Sequence, residues 1–210
     1  EIEDSELYKI LSEVEEINDG DHITYFEILT AAYFYGAQKY KNNLNLIESG
    51  LFHRFDATNI IEENLASVVT AIGIDHTDWL PKNEQTIDKI IFEKTSELLE
   101  SKIIVSNQND GNILEKIKKS LKLNKSKKIF FNESYSYSIV ENNFFYYEDE
   151  YGALKLPMPN LMGNFQLSNV TAAIATLRYV RELNISDKNI KEGITKIQSN
   201  LGRLQEIKSG

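Results

Sequence analysis

Glu48 and the pair Asp75-His76 are the residues whose types and neighbours would allow metal-assisted chemistry. Glu48 closes the apolar run Leu44 to Ile47, and Asp75-His76 closes the β-branched run Ser67 to Ile74; both runs read as buried parallel strands. In open α/β sheets, ligands bind in the crevice beyond the carboxyl ends of the strands. A carboxylate oxygen and an imidazole nitrogen delivered to that rim, completed by phosphate oxygens, would make a Mg²⁺ site, because magnesium is commonly held by few protein ligands plus nucleotide. Spacing alone carries little weight, since a Glu and a His at strand ends are more often surface or structural residues.

The elements that would position these groups follow from periodicity. Leu7, Ile10, Leu11 and Val14 recur at helical spacing and the run ends at Asn18-Asp19-Gly20. Thr24, with Glu27 three residues later, predicts a capping box at the head of a helix that is apolar on most sides and therefore expected to be buried. Residues 57–65 can form a crossover. Thr86 to Leu99 reads as a helix, Lys102 to Val105 as a strand and Ile113 to Leu121 as a helix, a rhythm that predicts an α/β fold with a mostly parallel sheet flanked by helices. Between about 127 and 158 the texture changes. Ile129 to Phe131, Tyr135 to Val140 and Phe144 to Tyr147 are β-prone and separated by turn residues, which predicts antiparallel hairpins inserted into or edging the main sheet. From Gln166 the pattern is helical again, with Val170, Ala173, Ile174, Leu177 and Val180 on one face, and Ile190, Ile194 and Ile197 line a last helix.

Composition narrows the function classes. Lys and Arg number 23 against 32 Asp and Glu, and a net charge of -9 opposes binding to a polyanion, so no nucleic-acid partner is expected. Seven lysines between Lys116 and Lys128 are a local exception that reads as a solvated helix end and loop. The absence of cysteine excludes disulfides, thiolate metal sites and cysteine nucleophiles, and fits a reducing compartment, so a cytoplasmic protein is expected. The start Glu1-Ile2-Glu3-Asp4 lacks the basic and apolar character of a signal peptide, and no window is apolar for long enough to suggest a membrane partner. The chain does not start with Met, and its last residues, Ile207 to Gly210, read as a strand start or linker cut short; a piece of something longer is expected.

Five blocks of sequence resemble, in order, the motifs of bacterial dihydrofolate synthase/folylpolyglutamate synthase: Thr24-Tyr25-Phe26-Glu27, Ile47 to Leu51, Arg54 to Asn59, Ile74 to Leu80, and Glu93-Lys94. Leu156 to Asn160 followed by Asn169 resembles the segment leading into that family's Asn-Ala-rich helix, and Leu201 to Gln205 its linker motif. The resemblance implies a Mur ligase-like central domain over residues 1–203, with 204–210 as linker to a further, glutamate-binding domain. It also implies the activity: ATP-dependent addition of glutamate to dihydropteroate or a folate through an acyl phosphate, as the first addition, chain extension or both. By matching position it implies Glu48 and His76 as Mg²⁺ ligands, Lys94 as a lysine carried as its carbamate, and Asn169 and Arg203 as ATP contacts. Thr24, Tyr25, Phe26 and Glu27, with Phe55, Asp56 and Ala57, match the pterin-binding stretches. Helix capping and core packing are adequate alternative roles for Thr24 and Phe26, and a surface lysine in an ordinary helix is the alternative for Lys94.

Two departures bear on function. Phe52-His53 stand where the family usually has Gly-Gly, and a bulky pair there should strain the loop or narrow the site. No G-x-x-x-x-G-K-[ST] occurs in the sequence, so the backbone phosphate cradle, its lysine and its Mg²⁺-binding hydroxyl are not supplied by these residues. The expectations are therefore an incomplete ligase whose missing N- and C-terminal parts are partners or neighbouring segments, or a non-catalytic remnant or binding module of the same fold.

Overall fold

A computed structural model describes residues 2–141 and 143–198. The chain divides into two compact units, Glu1–Ile61 and Glu62–Gly210.

The first unit is a helical pair followed by a long loop. Helix α1 (Asp4–Asn18) carries Ile10 and Val14 on its buried stripe and stops at Asp19, whose backbone is left-handed at φ 48°. Helix α2 (Tyr25–Ala37) starts at the expected capping box: Thr24 Oγ1 accepts from the Glu27 amide at 3.2 Å, while Glu27 Oε2 accepts from the Thr24 amide at 2.8 Å. The helices close on Ile10, Val14 and Ala32. Gly36 lets them approach, since a Cβ there would lie 2.9 Å from Ile10 Cδ1.

Two expectations fail in this unit. Helix α2 fully buries only Thr30, Ala32 and Gly36 and leaves Tyr25, Phe26 and Tyr33 exposed, with its other apolar residues half-buried. Leu44 to Ile47 forms no strand: Leu46 is 92% exposed and no described strand pairs with the run. A strand needs a ladder partner to satisfy its amides, and two leucines alternating with asparagine do not supply the burial that would hold one.

The second unit contains the α/β part. Strands β1 (Ser67–Val69), β2 (Lys102–Val105) and β3 (Lys127–Phe130) form a parallel sheet in the order β1-β2-β3, with Val68 opposite Ile104 and Ile104 opposite Ile129. Helix α3 (Ile87–Thr95) crosses from β1 to β2 and α4 (Gly111–Ser120) from β2 to β3, and the two helices pack together through a 2.7 Å hydrogen bond between the Thr95 and Ser120 hydroxyls. Ile129 to Phe131 is thus corrected from hairpin to parallel strand: Ile129 is buried against β2, a placement fixed by a partner 25 residues earlier that local composition does not reveal. Strand β1 is shorter than the apolar run Ser67 to Ile74, which leaves the sheet after Val69.

Strands β4 (Tyr135–Glu141), β5 (Phe144–Asp149) and β6 (Gly152–Pro157) make the expected antiparallel sheet. Helix α5 (Asn164–Tyr179) packs on β2 and β4 and so joins the two sheets, and α6 (Asp187–Lys196) packs on β6. Ile104 and Ile129 from one sheet share a core with Tyr135, Phe145, Tyr147 and Leu156 from the other and with Val170, Ile174, Ile190 and Ile194 from the helices. The face expected for α5 holds except at Ala173, which is exposed while Ala172 and Ala175 are buried. Packing on two sheets widens the buried stripe beyond a simple heptad face.

Polar groups stitch these layers. The Tyr135 hydroxyl donates to the Val105 carbonyl at 3.1 Å, linking β4 to the end of β2. Arg178 on α5 donates from Nε and Nη2 to the two carboxylate oxygens of Asp149 on β5 at 2.8 and 3.0 Å, and from Nη1 to Asp187 at the head of α6. The Asp149 side chain has no exposed surface and that of Arg178 is 5% exposed. Removing one member of a buried pair strands the other without water, at a cost of about 3–5 kcal/mol. Arg178→Met should lower the urea midpoint of unfolding by an amount corresponding to that range, and a variant indistinguishable from wild type would contradict the role given to the pair.

Candidate functional site

In the first unit the resembling stretches meet at one glycine. A Cβ on Gly50 would lie 3.0 Å from Asp56 Oδ2, 3.1 Å from Phe26 Cζ and 3.2 Å from Phe26 Cε1. The N-terminal end of α2, the turn after Glu48 and the Phe55 to Ala57 stretch are therefore brought together at a point where any side chain would force them apart. The turn is held by hydrogen bonds: Asp56 Oδ2 accepts from the Gly50 amide at 2.8 Å, and Asp56 Oδ1 accepts from the Thr58 amide at 3.0 Å and the Thr58 hydroxyl at 2.6 Å. Phe52 and His53, which replace small residues expected here, are half-buried, with His53 Nδ1 3.4 Å from the Ser49 hydroxyl. Neither has positive φ, so the pair does not require left-handed backbone.

Around this clasp the aromatic surface is open. Tyr25 is 79% exposed and Phe55 is 82% exposed, and the Arg54 guanidinium lies 4.1 Å from the centroid of the Phe55 ring. Exposed aromatic faces beside a cation can stack a flat heterocycle. Ala57 is half-buried beside them in sequence. Glu27 is spoken for by Thr24, and the Thr24 hydroxyl and amide bonds hold its carboxyl below the ordinary glutamate value. Glu48 is exposed at the entry to the turn.

The second unit carries the other named groups. His76 sits in the left-handed region at φ 55° and starts a single 3-10 turn over Thr77–Trp79. Its amide donates to Asp75 Oδ1 at 2.8 Å, and its Nε2 lies 3.4 Å from Asp75 Oδ2. Left-handed backbone at a non-glycine residue marks a constrained turn, and here it turns the imidazole back along its neighbour's carboxylate. Lys94, in the last turn of α3, is half-buried. Burial pushes its ammonium below the ordinary lysine value, and the negative charge of Asp75 acts in the opposite direction. The preceding Glu93 is buried and paired with Lys89 at 3.0 Å. Asn169 is exposed on α5, 3.5 Å from Gln166. Arg203 lies outside the described residues.

A residue that sequence reasoning missed positions the approach to His76. Gln108, just past β2, accepts from the Ile72 amide at 2.9 Å and donates to the carbonyls of Thr70 and Ser106 at 3.2 and 3.0 Å. Its side-chain amide thus takes the place of a neighbouring strand for the segment that leaves β1. A glutamine just beyond a strand end was the only sequence signal, and its burial, which makes its hydrogen bonds matter, is visible only in the structure.

As for metal, no group of three His, Asp or Glu that could hold an ion gathers among the described residues. In the second unit Asp75 and His76 offer one oxygen and one imidazole side by side, and in the first unit Glu48 offers an exposed carboxylate; each set alone is too few for a Mg²⁺ shell without oxygens from a ligand such as a nucleotide.

Comparisons with known proteins agree with the motif reading. The dihydrofolate synthase/folylpolyglutamate synthase of Buchnera aphidicola subsp. Schizaphis graminum is 32% identical over 187 residues, 88% of this chain and 42% of that protein. The chain is homologous to the dihydrofolate synthase/folylpolyglutamate synthases. The protein of that name from Escherichia coli is 28% identical over 186 residues, 87% of this chain and 41% of that one. The chain spans less than half the length of these curated relatives. An E. coli FolC structure in complex with DHPP and ADP superposes with a TM-score of 0.77 at 28% identity, over 93% of this chain and 45% of that chain. Folylpolyglutamate synthase from Thermotoga maritima has the same fold, with a TM-score of 0.81 over 97% of this chain and 48% of that one at 24% identity. No family model matches the sequence.

The capping box yields a pH dependence. Glu27 has a lowered folded value, so its stabilisation is fully present above the ordinary glutamate value of 4.5 and is lost as pH falls through the folded value. Glu27→Gln should be less stable than wild type at pH 7, and the gap should close as the pH is lowered into the acid range, as followed by far-UV circular dichroism during denaturation.

Proposed function

We propose that this chain is the central part of an ATP-dependent amide-bond ligase that adds glutamate to dihydropteroate or a folate. In that reaction a substrate carboxylate oxygen bonds to the γ-phosphorus of ATP as ADP leaves, and the glutamate amine then bonds to the acyl carbon as phosphate leaves. The observation that carries the reading is the meeting of Phe26, the turn after Glu48, and Asp56 at Gly50, with Tyr25 and Phe55 exposed in the same stretches. The complexes of homologous FolC with DHPP and ADP support a pterin and a nucleotide as ligands.

The roles follow from the motif matches and the local chemistry. Thr24 to Glu27 and Phe55 to Ala57 form the pterin-binding stretches, in which Phe55 and Tyr25 supply stacking faces and Thr24 with Glu27 set the direction of α2. Glu48 and His76 are each assigned as a Mg²⁺ ligand. Bound magnesium would neutralise charge developing on the transferred phosphoryl group. Asn169 and Arg203 are assigned to ATP. Lys94 is assigned as the carbamate: its lowered ammonium value leaves more neutral amine to bond to the carbon of CO₂, with a proton released to water. Residues 1–203 form the central domain and 204–210 the linker, and the protein acts in the cytoplasm; no described helix is long and apolar enough to cross a membrane.

A second reading has its own observations. The half-buried Phe52-His53 pair, standing where the family usually has two glycines, fits a module that keeps the fold and binds ligand without turning ATP over.

Both readings expect the isolated chain to show no ATP-dependent glutamate addition to dihydropteroate in a phosphate-release assay, and turnover would overturn the assignment of phosphate binding to residues outside these. They part when a second chain bearing G-x-x-x-x-G-K-[ST] and the glutamate-binding part is added: restored addition supports the ligase, and continued inactivity despite dihydropteroate binding supports the module. Lys94 has a separate test. In ¹³C-bicarbonate, NMR should show a carbamate carbon that Lys94→Arg abolishes; a spectrum unchanged by the substitution would remove the carbamate assignment.

A further inference from the structure

The Asp56 carboxylate is more heavily engaged than a ligand acceptor would be before its ligand arrives. One oxygen takes the Gly50 amide and the other takes both the amide and the hydroxyl of Thr58, so three of its roughly four lone-pair sites are used within the chain. Thr58 is buried, which fixes the rotation of the carboxylate from behind. The loop itself adds two backbone bonds, Asp56 N–H to the His53 carbonyl at 3.2 Å and Asn59 N–H to the Asp56 carbonyl at 2.9 Å, so residue 56 is anchored on both sides. Gly50 stands two positions after Glu48, and its amide is the atom through which this rigid centre grips the turn.

We propose that Asp56 is a positioning residue: by holding the Gly50 amide, its carboxylate sets the path of the chain just after Glu48 and keeps Phe26 and the Phe55 stretch in register with it. The clasp explains how the turn tolerates Phe52-His53 where the family usually has two glycines. Charge-assisted bonds from Gly50 and Thr58 fix the two ends of the 50–58 loop that carries the bulky pair. That the held turn serves a metal ligand and a pterin site rests on the ligase reading; the clasp itself does not.

Hydrogen exchange by NMR on the ligand-free chain tests the clasp directly. The Gly50 and Thr58 amides should be protected in wild type, and Asp56→Ala should speed Gly50 exchange about tenfold, the effect of losing one hydrogen bond to a charged group. The Ile28 amide inside α2 should keep its rate, which separates local release from unfolding. A Gly50 amide that exchanges freely in wild type, or equally slowly in Asp56→Ala, would overturn the proposal. Thr58→Val supplies the second readout, because it keeps the carboxylate and frees one of its lone pairs. A positioning role predicts weaker dihydropteroate binding by calorimetry in Thr58→Val by several-fold, whereas unchanged or tighter binding would make Asp56 a direct acceptor and sink the positioning role. If wild type binds no dihydropteroate at all, the ligase reading fails, and the exchange rates still decide the clasp.

Discussion

A guanidinium and a carboxylate shut away from water hold the second unit together. Arg178 on α5 and Asp149 on β5 meet in a two-bonded fork, and Asp187 at the start of α6 takes a further guanidinium nitrogen. An isolated charge in that position would be costly, so each partner obliges the other to be present and in place. Since α5 also packs on β2, orienting α5 through Arg178 orients the antiparallel sheet against the parallel one. Tyr147, whose hydroxyl donates to the same Asp149 at 2.9 Å, and Tyr135, which reaches the end of β2, extend this constraint into the core. Burial pushes both phenols well above the ordinary tyrosine value, so they remain neutral donors at any physiological pH.

The candidate groups of each unit depend on a different device, in which side chains do the work of missing strands. Gln108 pairs with the backbone of residues 70–72 after β1 has ended, and Asp56 gathers amides from both ends of its loop. Backbone that leaves a sheet must still have its polar groups satisfied, and a side-chain amide or carboxylate can satisfy several at once from a fixed direction. This lets loops reach the places where Glu48 and His76 sit without losing definition. Loops so braced can carry binding groups while the sheet beneath stays regular.

Much of the architecture was legible in the sequence because it is local. The end of α1 at Asn18-Asp19-Gly20, the capping box of Thr24 and Glu27, strand β2 and the helices on either side of it are written in residues a few positions apart. The failures concern contacts across long separations. Leu44 to Ile47 has the composition of a strand but no ladder partner among the described residues, and Ile129 to Phe131 has the composition of a hairpin but pairs in parallel with β2. Of the candidate site, the motif residues were visible by type and order, whereas the commitment of the Asp56 carboxylate to Gly50 and Thr58 was not.

By itself the amino-acid sequence determined most of the elements, the family likeness and the roster of chemically able side chains, since these depend on periodicity, capping and residue type. Tertiary structure alone decided which of those side chains are already engaged. Asp56 and Glu27 are bound to their own backbone neighbourhood, Phe55 and Tyr25 are left open, and Lys94 is half-buried near enough to Asp75 to feel its charge. Hydrogen bonding, exposure and local dielectric are properties of packing, and packing brings together residues that the sequence holds apart.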